Sequence, residues 1–246
     1  MKGIILAGGT GSRLYPLTKI TNKHLLPVGN YPMIYHAIFR LTMASIRDIL
    51  IVTGREHMGS VVNLLGSGHD FGVDFTYKVQ DKAGGIAEAL GLAEDFVGED
   101  SMAVILGDNV FGADITPFVQ AFQKRNRGAS ILVSKVADPQ RFGVPELDGD
   151  KIVRIEEKPV NPKSSYAVTG IYLYDSQVFG IIRELKPSAR GEYEITDVNN
   201  AYISIGQLTY GILEGWWTDA GTPESYFRAN ELARSINYGD KYNYRR

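Results

Sequence analysis

The stretch that most constrains this 246-residue chain lies near its start, where an apolar run enters a glycine loop: Gly3-Ile4-Ile5-Leu6-Ala7-Gly8-Gly9-Thr10-Gly11-Ser12-Arg13-Leu14. Such a run, ending in glycines, reads as a buried strand delivered into a loop with little side-chain bulk. At the carboxyl end of a sheet strand, a loop of this kind exposes backbone N–H groups that an anion can approach closely. Open α/β sheets bind their ligands at that end. Arg13 adds a permanent charge and a planar fork suited to phosphate oxygens. The opening therefore predicts an α/β fold arranged around a nucleoside triphosphate. The plainer alternative is a glycine-rich turn between two elements.

Two familiar phosphate loops do not fit. A G-x-G-x-x-G fingerprint is started by Gly9 and Gly11 but interrupted by Leu14, and no Gly-Lys-Ser or Gly-Lys-Thr of a Walker loop occurs. Composition closes off other classes. A formal net charge of -2 gives no overall attraction for nucleic acid or an anionic membrane. Zero cysteines exclude disulfides, thiol chemistry and cysteine-ligated zinc. His24, His36, His57 and His69 show no metal-binding spacing, which argues against a zinc hydrolase. The chain has neither an apolar run long enough to span a bilayer nor a leader-like N-terminus, so a soluble cytoplasmic protein is expected.

Strand and helix patterns alternate through the first half. Ile49–Val52, Phe75–Val79 and Met102–Leu106 read as strands, and Met33–Ala44, Ser60–Leu65 and Ala87–Ala93 as helices. This alternation predicts parallel βαβ units. Ile115–Arg125 follows as a helix with Ile115, Phe118, Val119 and Phe122 on one face, and Ile131–Val133 as a strand. Later, Val144–Leu147 and Lys151–Ile155 flank Asp148-Gly149-Asp150 as a hairpin, and Ala167–Tyr174 is another strand. Thr196–Ile203 reads as a helix with Thr196 near its N-cap. A last helix is expected from the Thr222 cap and Pro223 to about Asn237. No linker or repeat interrupts the chain.

L-A-G-G-x-G-x-R-L is followed by Asn22-Lys23-His24-Leu25-Leu26-Pro27-Val28 and Pro32-Met33-Ile34-Tyr35-His36. Further on come Leu106-Gly107-Asp108-Asn109, Glu156-Glu157-Lys158-Pro159, Tyr166–Gly170, Glu194–Asn199 and Trp217-Thr218-Asp219-Ala220-Gly221-Thr222. In order and spacing these segments resemble the sugar-phosphate nucleotidyltransferases, among them the glucose-1-phosphate thymidylyltransferases, over nearly the whole chain. The resemblance implies a Rossmann-like, three-layer α/β fold with a mixed, mostly parallel sheet flanked by helices. It implies a single domain over 1–246, with a nucleotide-binding half at about 1–110 and a hairpin-bearing sugar-binding half at about 111–240. The implied partners are dTTP and glucose 1-phosphate, the cofactor Mg²⁺, and the assembly a homo-oligomer.

Chemistry of that kind joins a phosphate oxygen that is already anionic to the α-phosphorus, so no side chain need deprotonate the nucleophile. It calls instead for cations, a divalent metal and backbone donors that align two polyanions. The resemblance assigns the triphosphate to Arg13 and Lys23, with Leu6, Gly8, Gly9, Gly11 and Ser12 lining the loop. It assigns the metal to Asp108 and Asp219, a pairing suited to a cation that takes one or two carboxylates beside substrate phosphates. Taken alone, Lys23 reads as a surface lysine, Asp108 as a turn acid and Asp219 as a helix N-terminal acid.

Gln80 and Gly85 match the base-reading pair, although the family often has proline near Ala83 and glutamine at Glu88. On the sugar side the resemblance implies Asn109, Glu157 and the backbone of Gly143 and Val168 on the hexose, with Lys158 facing its phosphate. Glu192, Glu194 and Asp197 read as acids at a helix N-terminus rather than a second metal site. The same chemistry with UTP or another hexose phosphate, and a non-catalytic nucleotide-sugar-binding regulator, remain alternatives. The polar tail Gly239–Arg246 follows soon after the last helix, as in a short form, for which weak or absent allosteric inhibition is expected.

Overall fold

Side chains alternate across the first strand, β1 (Lys2–Ala7), as a pleated ribbon requires. Ile5 and Ala7 enter one apolar cluster, Ile4 and Leu6 another. The same division runs through the neighbouring strands, so the sheet is buried on both faces and the molecule has three layers. The computed structural model describes residues 1–238, and the tail 239–246 lies outside the described residues.

The remaining strands are β2 (Pro27–Val28), β3 (Tyr31–Pro32), β4 (Asp48–Gly54), β5 (Asp74–Gln80), β6 (Met102–Leu106) and β7 (Asn109–Phe111). After them come β8 (Ala129–Lys135), β9 (Gly143–Asp148), β10 (Lys151–Glu157), β11 (Tyr166–Tyr174), β12 (Leu208–Ile212) and β13 (Trp217–Asp219). The helices are α1 (Met33–Met43), α2 (Met58–Leu65), α3 (Ile86–Gly91) and α4 (Glu94–Val97), then α5 (Thr116–Arg125), α6 (Gln177–Glu184), α7 (Ile195–Ser204) and α8 (Pro223–Ala233).

Seven strands form the main sheet in the order β12-β8-β11-β6-β1-β4-β5. Neighbours pair in parallel except around β11, which is antiparallel to both β6 and β8. The expected mixed, mostly parallel sheet is therefore present, and it runs without a break through both halves of the chain. Helices α1, α2 and α5 cover one face, where Ile34, Ile38, Val61 and Phe122 are buried. The other face carries Ala87, Leu90, Val178, Phe179, Val198 and Tyr202 from α3, α6 and α7.

Three helical expectations are corrected. The Ala87–Ala93 helix is Ile86–Gly91 followed by a separate short turn, α4, the break falling beside Gly91, a weak helix former. Glu194, not Thr196, stands at the N-cap of α7, and the Thr196 hydroxyl instead donates to Glu157 at 2.6 Å. Helix α8 stops at Ala233 rather than near Asn237. Beyond it the chain folds back, and the Tyr238 hydroxyl reaches the His36 ring nitrogen at 2.9 Å.

A third, smaller cluster decides where the glycine loop sits. Leu14, at the end of that loop, is buried with Met33, Val110, Tyr226, Ala229 and Ala233. Helix α8 thus grips the loop from behind. Its own start is held by a capping box in which Thr222 accepts from the Ser225 N–H and Ser225 accepts from the Thr222 N–H.

Candidate active site

The carboxyl end of β1 lies beside that of β6: Leu6 pairs with Leu106, and the Gly107 N–H donates to the Leu6 carbonyl at 2.9 Å. From β1 the sheet continues through β4 and β5 on one side and through β6 on the other, so the loops after β1 and β6 diverge. A crevice is expected at such a point. A cleft of about 710 Å³ opens there. Leu6, Gly8, Gly9, Arg13, Lys23, Gln80, Gly85, Asp108, Asn109, Gly143, Glu157, Lys158, Val168 and Asp219, all singled out in the sequence, line it.

Gly11 and Ser12 do not line the cleft. Gly11 adopts a left-handed backbone (φ 64°) where a Cβ would meet the Thr18 methyl at 2.9 Å, and its carbonyl accepts from the Thr18 hydroxyl at 2.8 Å. Its contacts with Thr18 hold the turn of the loop.

Two carboxylates are brought together by a ribbon with no strong sequence signal. Strands β7 and β13 pair antiparallel, Asp219 opposite Asn109, and the Ala220 N–H donates to the Asp108 carbonyl at 2.8 Å. Lys23 forms a close ion pair with Asp108, whose other oxygen accepts from the Asn109 amide at 3.0 Å. Burial alone would raise the Asp108 carboxyl, but the Lys23 ammonium and that amide hold it well below the ordinary carboxylate range. Asp219 is pushed the other way by burial and by the Asp108 charge, against the opposing pull of Arg141, Arg13 and Lys23. The Arg141 guanidinium lies 3.3 Å from both Asp219 oxygens. Gly221 leaves room for Arg13, whose guanidinium nitrogen is 3.2 Å from where a Cβ would stand.

The far wall comes from the β9–β10 hairpin and the start of α7. Glu157 accepts from Thr196 and lies 3.4 Å from the Lys158 ammonium and 3.5 Å from Arg190. Lys158 itself is left-handed (φ 47°), an uncommon backbone for a side chain of its size, and its N–H donates to Phe142 at 2.9 Å. Arg190 also pairs with Glu192 and Glu194, so those acids neutralise a guanidinium at the edge of the cleft. Among the described residues no group of three or more acidic, histidine or cysteine side chains is arranged to hold a metal.

Asn109 is largely engaged within the protein. Its oxygen accepts from the Trp217 indole at 2.7 Å and the Gly170 N–H at 2.9 Å, and one N–H goes to Asp108. That leaves one N–H for the cleft. Gly170 lies where the β11–β8 register shifts, and a Cβ there would stand 2.6 Å from the Asn109 amide nitrogen. His24 is buried, its ring Nδ1–H donates to the Asn22 side-chain oxygen at 2.6 Å, and burial and the neighbouring Lys23 push its pKa down to about 3. It also lines the cleft, beside Lys23.

Sequence reading missed Arg141, Arg190, Thr196, Tyr172 and Trp217 as lining residues. Arg141 ends the short turn Pro139–Arg141 immediately before the hairpin, and a cation entering a sheet-end loop was its one available signal. Tyr172 falls within the expected Ala167–Tyr174 strand, and burial strongly raises its phenol.

Residues 2–235 match the nucleotidyl transferase family. A glucose-1-phosphate thymidylyltransferase of Neisseria meningitidis is 45% identical over 240 residues, which span 96% of this chain and 83% of that protein. A Bacillus anthracis protein proposed to be a glucose-1-phosphate thymidylyltransferase, solved in complex with sucrose, is 67% identical with a TM-score of 0.95 and 99% coverage of each chain. A UDP-glucose pyrophosphorylase complexed with UDP-glucose superposes with a TM-score of 0.83 at 26% identity, covering 94% of this chain and 97% of its own.

Proposed function

The chain belongs to the nucleotidyl transferase family, and from that premise we propose that it transfers a thymidylyl group from dTTP to glucose 1-phosphate. A phosphate oxygen of the sugar phosphate attacks the α-phosphorus, the bond from that phosphorus to the bridging oxygen breaks, and pyrophosphate leaves with both electrons of that bond. The products are dTDP-glucose and pyrophosphate, and no proton transfer is required at the nucleophile.

The observation that carries the proposal is the convergence of Arg13, Lys23, Asp108, Asp219 and Lys158 on one cleft at the end of β1. In this reading Gly8 and Gly9 present backbone to the triphosphate, and Arg13 and Lys23 offset its charge. Gln80 and Gly85 hold the base, while Glu157 and Lys158 orient the sugar phosphate from the opposite wall. Bringing two polyanions into line in a site of fixed cations is the main source of acceleration for such a transfer.

Asp108 and Asp219 suit a hard divalent cation such as Mg²⁺. Both are oxygen donors on neighbouring ends of one ribbon, and the upward push of Asp108 on the Asp219 carboxyl is a repulsion that a cation held by the pair would relieve. When bound, the metal supplies positive charge to the reacting phosphate oxygens. Lys23 and Arg141, which pair with these two acids, hold them in place. Nucleoside triphosphates and sugar phosphates are cytoplasmic metabolites, and the reaction is assigned to that compartment.

Pyrophosphate release with Mg²⁺ and glucose 1-phosphate, compared across dTTP, UTP, ATP, CTP and GTP, tests the proposal. We expect strong turnover with dTTP that collapses in Asp108→Asn. A preference for UTP would move the base assignment and keep the chemistry. Tight nucleotide binding without turnover would favour a regulatory protein on the same fold.

A further inference from the structure

Gln80 is buried at the end of β5, and its amide is committed on one side. Its NH₂ group donates to Glu88 at 2.7 Å and to the Gly85 carbonyl at 3.3 Å, which uses both hydrogens. The same Glu88 oxygen also accepts from the Gly84 N–H at 2.9 Å. An oxygen receiving two N–H groups is acting as an acceptor alone, so the group facing it must be the NH₂ of Gln80. Turning the amide over would set oxygen against oxygen. The fit is built into the backbone: a Cβ on Gly84 would overlap the Glu88 carboxylate.

The consequence lies on the other side of the amide. The Gln80 oxygen points to the Gly8 loop, 2.8 Å from where a Gly8 Cβ would stand, and no described residue donates to it. The Gly85 N–H likewise has no partner among the described residues. Both residues line the cleft, so the protein offers one acceptor beside one donor.

We propose that Glu88 is a positioning residue that fixes the hydrogen-bond polarity of the base site, so that Gln80 accepts an imino N–H and never donates to a ring nitrogen. A base with an N–H beside a carbonyl, as in thymine and uracil, matches this pattern. Cytosine and adenine present the reverse at their ring nitrogen and amino group. They would leave the buried Gln80 oxygen facing a lone pair, a mismatch far more selective than a shape difference. Guanine shares the favourable polarity, so its rejection falls to size. The inference rests on the proposed base-reading role of Gln80.

Glu88→Gln tests it, because a glutamine can donate as well as accept and thereby permits the inverted Gln80 amide. The readouts are kcat/KM and calorimetric Kd for dTTP and dCTP, with Gln80→Ala and Glu88→Ala measured alongside. The expected result is a fall of roughly tenfold or more in the dTTP-over-dCTP preference of Glu88→Gln, with an unchanged melting temperature. Glu88→Ala should lower the preference at least as far. An unchanged preference in both Glu88 variants, with a collapse in Gln80→Ala, would overturn the role of Glu88 while retaining Gln80 as the base reader. An unchanged preference in Gln80→Ala would overturn both. A general loss of binding in the Glu88 variants, equal for the two nucleotides, would assign Glu88 to loop structure alone and overturn the proposal.

Discussion

At the scale of single residues the site is a set of opposed charges, and the Lys23–Asp108 pair is its most buried member. Replacing Asp108 with asparagine leaves the Lys23 ammonium in poorly solvated surroundings without its counter-charge, which should cost roughly 3 kcal/mol at neutral pH. The pH dependence follows from the depressed carboxyl of the folded state. A depressed acid stabilises fully above its unfolded pKa, about 4, and that stabilisation is lost as pH falls toward the folded value. Urea unfolding of wild type and Asp108→Asn should therefore show a gap that is constant above about pH 5 and narrows in more acidic solution. A gap that widens on acidification would contradict the pairing. Arg13, Lys23, Asp108 and Asp219 were legible in the sequence because short motifs surround each of them. Arg141 was not, because its meaning comes from Asp219, 78 positions away, and no local pattern records that meeting.

At the scale of elements, the glycine loop depends on a helix far along the chain. Loss of the α8 cap in Thr222→Ala should cost about 1 kcal/mol. Because α8 buries Leu14, the same variant should weaken nucleotide binding more than sugar-phosphate binding. Equal effects on the two KM values would argue against that linkage. Gly170→Ala places a methyl 2.6 Å from the Asn109 amide nitrogen and 2.7 Å from Leu106. It should destabilise by about 1–3 kcal/mol and lower kcat, since Asn109 and Asp108 are held together.

Strands such as Met102–Leu106 were legible to the residue, as unbroken apolar runs are. The three-residue ribbon β7–β13 was not, for each strand is too short to carry a period and gains its identity only from a partner over a hundred positions away. Strand β12 escaped notice for a related reason: Leu208–Ile212 lies on the sheet edge and is only partly buried, so its pattern is weak.

At the scale of the whole molecule, one continuous sheet supports walls drawn from both halves of the chain, and ligands that touch both walls should stabilise the entire unit. A nucleotide at a hundred times its Kd adds about 2.7 kcal/mol. In a chain of this size that should raise Tm by roughly 5–10 °C. Differential scanning calorimetry with dTTP and Mg²⁺ checks this. A single transition that moves as a whole is expected, whereas a shift confined to part of the transition would mean that the halves respond separately.

The central claim is attack on the α-phosphorus within this cleft. It is tested most directly by following dTTP labelled with ³²P at the α-phosphate in the presence of glucose 1-phosphate and Mg²⁺. The account predicts that all of the transferred label enters a sugar nucleotide while unlabelled pyrophosphate is released, one for one. Label appearing in dTMP, or dTDP formed with release of inorganic phosphate, would contradict it.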